Sequence, residues 1–151
     1  MVFPHARHIC RVFGAIWLAG ALTFWGALAH SENFEGPVRA TVLKVLDGDT
    51  FVAVAHIWPD QSIEVHVRVR GIDAPEMKSR CASEHAAALD ARDALADLLG
   101  PSVFISNIGG GKFYGRILAD VTTREGDRVD EILTTIALAR PYAGGRRAGW
   151  C

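Results

Sequence analysis

From Val38 onward the hydrophobic positions change period several times, and each change marks an element. Arg39–Leu46 (RATVLKVL) and Thr50–Ile57 (TFVAVAHI) are rich in Val and Thr and flank Asp47-Gly48, a turn pair, which predicts a β-hairpin. In Ile63–Arg70, Ile63, Val65, Val67 and Val69 alternate with Glu64, His66, Arg68 and Arg70. This predicts a strand with one apolar face and Arg68 turned away from the core. Ser83–Leu99 follows a helical period, with Ala87, Ala91, Ala94, Leu95 and Leu98 on one side, and Gly100-Pro101 stops it. Ser102–Ile108 reads as a strand, Gly109–Gly111 as a flexible turn and Phe113–Val121 as the returning strand. A last helix is expected from about Val129, with Ile132, Leu133 and Ile136 inward and Pro141 ending it.

Five short strands and two modest helices predict a mainly β chain with some α, an α+β class. The expected architecture is a small closed or partly open barrel, of which the OB-fold is the common nucleic-acid-binding version. With 151 residues, half of them hydrophobic, the chain can bury one core but not two.

The N-terminus reads differently. Residues 1–29 contain Arg7 and Arg11, no acidic residue, an uncharged run from Val12, and Ala27-Leu28-Ala29, the small-x-small form of a signal-peptidase site. A signal peptide over 1–29 is expected, followed by a polar linker over 30–37 and one domain over 38–151. An uncleaved anchor is the alternative, since Val12–Ala29 is 18 residues without a charge. Cleavage would place the protein outside the cytoplasm, periplasmic or secreted. It would remove two of the 16 basic residues and none of the 17 acidic ones, moving the formal charge from −1 to −3. Such a chain is no bulk polycation, so phosphate binding must rest on a local cluster or a bound cation. Arg68, Arg70, Lys112, Arg116, Arg140, Arg146 and Arg147 are the candidates for that cluster. Cys81 and Cys151 remain as an even pair after cleavage and are expected to form a disulfide; two free thiols are the alternative.

Three segments carry candidate chemistry: Asp47–Phe51 (DGDTF), Val67–Glu76 (VRVRGIDAPE) and Tyr114–Arg116 (YGR). Asp49, Asp73 and Glu76 offer hard oxygen ligands and a base, and Arg68 and Arg116 offer planar cations that match phosphate oxygens. Each segment alone also has a plain reading: Asp47–Asp49 as a tight turn, Arg68 as a solvated strand face, Tyr114-Gly115 as barrel packing.

Taken together, VLDGDTF, the R-x-x-G-I-D-A-P-E stretch from Arg68, YGR and Leu138–Tyr142 (LARPY) resemble the staphylococcal nuclease (thermonuclease) family over roughly Val38–Cys151. The resemblance implies a five-stranded OB-fold barrel and a Ca2+-dependent endonuclease. Such an enzyme cleaves DNA and RNA, prefers single strands, leaves 3'-phosphate ends and acts as a monomer. Carried over by position, Asp49 and Asp73 would be side-chain calcium ligands and Ala74 a backbone-carbonyl ligand. Arg68 and Arg116 would bind the scissile phosphate, with Glu76 accepting the proton of the attacking water or orienting it. Asp47 and Thr50 would support the metal site, and Lys112, Tyr114 and Tyr142 would touch the nucleotide.

Departures from the family pattern are Ala74 after the second aspartate, Gly109-Gly110-Gly111-Lys112-Phe113 before YGR, and a short tail, GGRRAGWC, where a further helix is usual. The rival expectations are a noncatalytic OB-fold module that binds nucleic acid or oligosaccharide and a membrane-tethered envelope domain that serves interaction.

Overall fold

The structure, a computed structural model of the chain, describes residues 33–113 and 115–151. The expected signal segment, linker residues 30–32 and Tyr114 lie outside the described residues. Among the described residues nine elements follow in order: β1 Val38–Asp47, β2 Thr50–Trp58, β3 Gln61–Val69, β4 Ile72–Asp73, α1 Ala82–Leu99, β5 Ser102–Gly110, β6 Arg116–Thr122, α2 Val129–Thr135 and β7 Arg140–Pro141.

β1, β2, β3, β6 and β5 close into a five-stranded barrel in that order. Neighbours pair antiparallel except β3 and β6, which run parallel with His66 opposite Arg116 and Arg68 opposite Leu118. This is the mixed, OB-fold-like barrel with two helices that the hydrophobic pattern predicts. Period-2 alternation on each strand sends Val38, Ala40, Phe51, Ala53, Val67, Val69, Val103, Ile105, Ala119 and Val121 into one core. Leu95 and Leu99 of α1, and Val129 and Leu133 of α2, belong to the same cluster and tie the helices to the barrel. β4 and β7 form a separate two-stranded sheet, pairing Ile72 with Pro141 and Asp73 with Arg140.

Several local expectations need correction. Ile63 is 50% exposed, because among the described residues the outer half of the β2–β3 hairpin stays uncovered; the apolar face of β3 begins at Val65. The buried stripe of α1 is Ala88, Ala91, Leu95 and Leu99, rotated from the predicted one, since Leu99 at the helix end still reaches the core. α2 ends at Thr135, with Ile136 51% exposed, so the helix stops at the positive-φ residue Ala137 and Pro141 instead enters β7.

The triple glycine is not a flexible turn. Gly109 and Gly110 are strand residues opposite Leu118 and Ile117, and the Gly111 N–H donates to the Arg116 carbonyl at 2.9 Å. A Cβ on Gly111 would lie 2.6 Å from that same carbonyl oxygen, so glycine allows the two strands to approach. Residues 33–37 also join the barrel wall: Phe34 bridges to Ile108, and the Asn107 N–H donates to the Glu35 carbonyl.

Candidate active site

The site is assembled around the β1–β2 turn. The Asp49 N–H donates to Asp47 Oδ1 at 3.1 Å, closing the turn through the side chain. A Cβ on Gly48 would stand 2.6 Å from Ala91 Cβ and 2.7 Å from Ala74 Cβ. Glycine therefore lets the turn slide between α1 and the segment after β4, and this brings Asp49 against Ala74. The Ala74 N–H donates to Asp49 Oδ2 at 3.1 Å, and Thr50 Oγ1 donates to Asp49 Oδ1 at 2.8 Å. Arg68, opposite Thr50 across β2–β3, donates from Nη1 to the same Oδ1.

Asp49 is only 2% exposed, and its pKa is raised from 3.8 to about 6. Burial is the main cause, and neighbouring Asp47 adds to it; Arg68, Thr50 and the Ala74 N–H pull in the other direction without overcoming it. Both carboxylate oxygens accept hydrogen bonds, Oδ1 from Thr50 and Arg68 and Oδ2 from the Ala74 N–H, yet burial still outweighs them.

Asp73, equally buried, is held by the β4–β7 pairing. Its Oδ2 accepts from the Trp150 indole N–H at 3.1 Å and lies 3.5 Å from Arg140 Nε. Its Oδ1 lies 3.9 Å from Arg68 Nη2 and touches Arg147 Nε, yet it is enclosed and accepts no well-directed hydrogen bond. Arg147 also donates from Nη1 to Glu76 Oε1 and from Nη2 to the Ala74 carbonyl at 2.9 Å. One guanidinium thus touches Asp73, Ala74 and Glu76 together.

In front of these groups opens a cleft of about 590 Å³, with Asp47, Arg68, Glu76, Arg116 and Arg147 among its lining residues. Lys112 and Tyr142 stand at the same cleft. Parallel pairing sets Arg116 opposite His66, so Arg116 and Arg68 lie on the same barrel face. Arg116 forms no ion pair among the described residues, and its guanidinium lies 5.1 Å from the Phe113 ring centroid. Tyr142 is tied by its N–H to the Gly71 carbonyl at 2.8 Å and by its hydroxyl to the Gly145 carbonyl at 2.7 Å.

Glu76 is about half exposed, and its loop is pinned from α1: the Glu76 N–H donates to Glu84 Oε1 at 3.2 Å and Ser79 Oγ donates to Oε2 at 2.6 Å. Cys81 caps α1, its sulfur accepting from the Glu84 N–H, and is joined to Cys151 across 6.1 Å between Cα atoms. The bond carries the tail back to the site, where the Arg140 guanidinium stacks 3.9 Å from the Trp150 ring centroid.

In donor chemistry this arrangement suits a hard cation such as calcium. Arg68 reaches toward the buried carboxylates of Asp49 and Asp73 with its two arms, Arg147 joins Asp73 to the Ala74 carbonyl, and the enclosed Asp73 Oδ1 accepts no well-directed hydrogen bond although Arg147 Nε touches it. Arg147 supplies a cation at that place. Among the described residues the one group of three metal-type side chains with ligand atoms within 4.8 Å of one another is elsewhere, Cys81, Glu84 and Cys151, and its two sulfurs are bonded to each other.

Of the residues singled out from sequence, Asp47, Arg68, Glu76, Lys112, Arg116 and Tyr142 meet at the cleft, and Asp49, Thr50, Asp73 and Ala74 lie behind Arg68 and Arg147. Two contributors had no role assigned from sequence, Trp150 and Glu84, and Arg140 and Arg147, expected in a phosphate-binding cluster, are engaged with Asp73. The signal available for Trp150 was a tail with Arg and Trp beside a paired cysteine. A comparison with protein-family models gives no match, and a search of curated proteins gives none.

Proposed function

We propose that this chain is an exported phosphodiesterase, a Ca2+-dependent endonuclease of the staphylococcal nuclease type that acts on single-stranded DNA and RNA. One arrangement carries the reading: Arg68, Arg116 and Glu76 face one cleft, backed by the buried carboxylates of Asp49 and Asp73. A phosphodiester has anionic nonbridging oxygens that need planar donors, a phosphorus that needs a water with a base beside it, and a developing charge that needs compensation.

Arg116, without a carboxylate partner among the described residues, is ready to hold one phosphate oxygen. Arg68 can turn part of its fork from Asp49 to a second. Glu76, half exposed at the cleft, is the group to accept the proton of the attacking water. As the water oxygen bonds to phosphorus, the bond to the 5' oxygen breaks and that oxygen takes a proton from solvent, leaving a 3'-phosphate and a 5'-hydroxyl, while Glu76 returns its proton to solvent. Calcium held by Asp49, Asp73 and the Ala74 carbonyl would draw charge from a nonbridging oxygen. Asp47 and Thr50 keep the Asp49 carboxylate oriented through the turn and the Thr50 hydroxyl.

The test is cleavage of a single-stranded DNA oligonucleotide by wild type, Arg116→Ala and Glu76→Gln in saturating calcium. Loss of one such electrostatic contact costs about 2.7 to 4 kcal/mol of barrier, so each variant should fall roughly a hundred- to a thousandfold in kcat. Wild-type rates in both variants would remove these residues from the reaction. A second reading, a binding module without catalysis, draws on the engagement of Arg68 with Asp49 and of Glu76 with Arg147. It predicts oligonucleotide binding with no cleavage in calcium.

A further inference from the structure

Arg147 is in an unusual place for a tail residue. Its three nitrogens go to Asp73 and the Ala74 carbonyl, two of the three ligands of the proposed cation site, and to Glu76, the proposed base. The guanidinium is about one-third exposed, whereas Asp73 is enclosed. The tail around it is anchored at three further points. Arg140 donates to the Ala148 carbonyl at 2.7 Å and to the Gly149 carbonyl at 3.3 Å, Trp150 donates to Asp73, and Cys151 is bonded to Cys81 at the start of α1. Gly144 and Gly145, both at positive φ, turn the chain so that Arg147 comes back over the site.

We propose that Arg147 is an internal competitor of the metal: the disulfide-closed tail seats its guanidinium on Asp73, Ala74 and Glu76, and calcium binds only as that guanidinium leaves. This rests on the phosphodiesterase reading and adds a control to it. A cation that enters this oxygen set meets Arg147 Nε already in contact with Asp73 Oδ1 and Arg68 Nη2 at 3.9 Å from it, so a further positive charge adds repulsion for as long as the Arg147 guanidinium stays. The competition is intramolecular because Arg147 is part of the same chain, and the disulfide, by tethering the tail at both ends, keeps the guanidinium at a high effective concentration. The observed calcium affinity is then the intrinsic affinity multiplied by the fraction of molecules whose tail is released. Release frees two partners at once: Glu76 gains a free carboxylate to accept a proton, and the Ala74 carbonyl becomes available as a ligand. Arg140 and Trp150 act as positioning residues, because they hold the tail that delivers Arg147.

The test is calcium titration of the full chain by calorimetry, with wild type, Arg147→Ala, Arg146→Ala and Cys151→Ser compared, so that the readout does not depend on turnover. Charge-assisted hydrogen bonds of this kind contribute enough that Arg147→Ala should tighten calcium binding about tenfold or more. Cys151→Ser should shift affinity in the same direction by loosening the tail. Arg146→Ala should match wild type, since Arg146 is exposed beside the seat. A parallel trypsin digest reads the tail directly: calcium should speed cleavage after Arg147 in wild type. If wild type binds calcium and Arg147→Ala binds it equally or more weakly, competition is overturned while the metal reading stands. If no variant binds calcium at millimolar concentration, the metal reading itself fails and the competition fails with it.

Discussion

Asp49 is the residue whose surroundings constrain it most. Its folded pKa, about 6 against 3.8 unfolded, means that the native chain holds this proton more tightly than the unfolded chain does. The stabilising contribution is therefore fully present below pH 3.8 and is lost as pH rises through 6. At 1.36 kcal/mol per unit, the loss is about 3 kcal/mol. Asp49→Asn carries no such titration. In a chelator, the melting temperature of Asp49→Asn relative to wild type should rise between pH 4 and pH 7. A difference that stays constant across that range would mean that Asp49 does not titrate there. Arg68 makes a complementary case. It grips Asp49 through one arm of the fork and comes near Asp73 with the other, so Arg68→Lys keeps the charge but loses the planar geometry. Cleavage by Arg68→Lys should drop close to the level of Arg116→Ala, measured as kcat on the same oligonucleotide.

At the scale of elements, the β1–β2 turn connects packing to chemistry. Gly48→Ala would force a methyl against Ala91 and Ala74, which should cost about 1 to 3 kcal/mol in urea unfolding and displace Asp49 from the Ala74 N–H. Wild-type stability in that variant would mean that the turn has room to move. How much of this was legible in the sequence follows from the range of each signal. The hairpin around Asp47-Gly48 and the inward Val67 and Val69 could be read because period-2 alternation and turn chemistry are local. The seating of Arg147 on Asp73 spans 74 residues and depends on where β7 and the disulfide bring the tail, which no local pattern encodes. The triple glycine misled for a related reason. Glycine marks a turn and a close strand approach equally well, and only the partner strand distinguishes them. Cys81 and Cys151 could be paired by count, but their place at the cap of α1, beside the Glu76 loop, could not.

For the whole molecule, charge and shape set the mode of substrate binding. A chain of formal charge −1 has no broad positive field with which to hold the proposed nucleic-acid substrate, and Arg68, Arg116 and Lys112 are the cations at the cleft once Arg147 is engaged with Glu76. Two or three phosphate contacts on a single strand should give a shallow slope of about −2 for log K against log salt, measured by fluorescence anisotropy. A slope several times steeper would place the strand on a different surface. The disulfide closes the tail onto a barrel whose core is already continuous. In the chain-entropy treatment a loop of this size contributes about 4 kcal/mol, so the bond stabilises the fold as well as holding the tail at the site. The most direct measurement is the fate of a single-stranded DNA oligonucleotide incubated with the wild-type protein in calcium and, separately, in a chelator, with product ends identified by mass. A calcium-dependent phosphodiesterase predicts fragments ending in 3'-phosphate with calcium and intact DNA with chelator. Equal degradation in both tubes, or intact DNA in both, would contradict it.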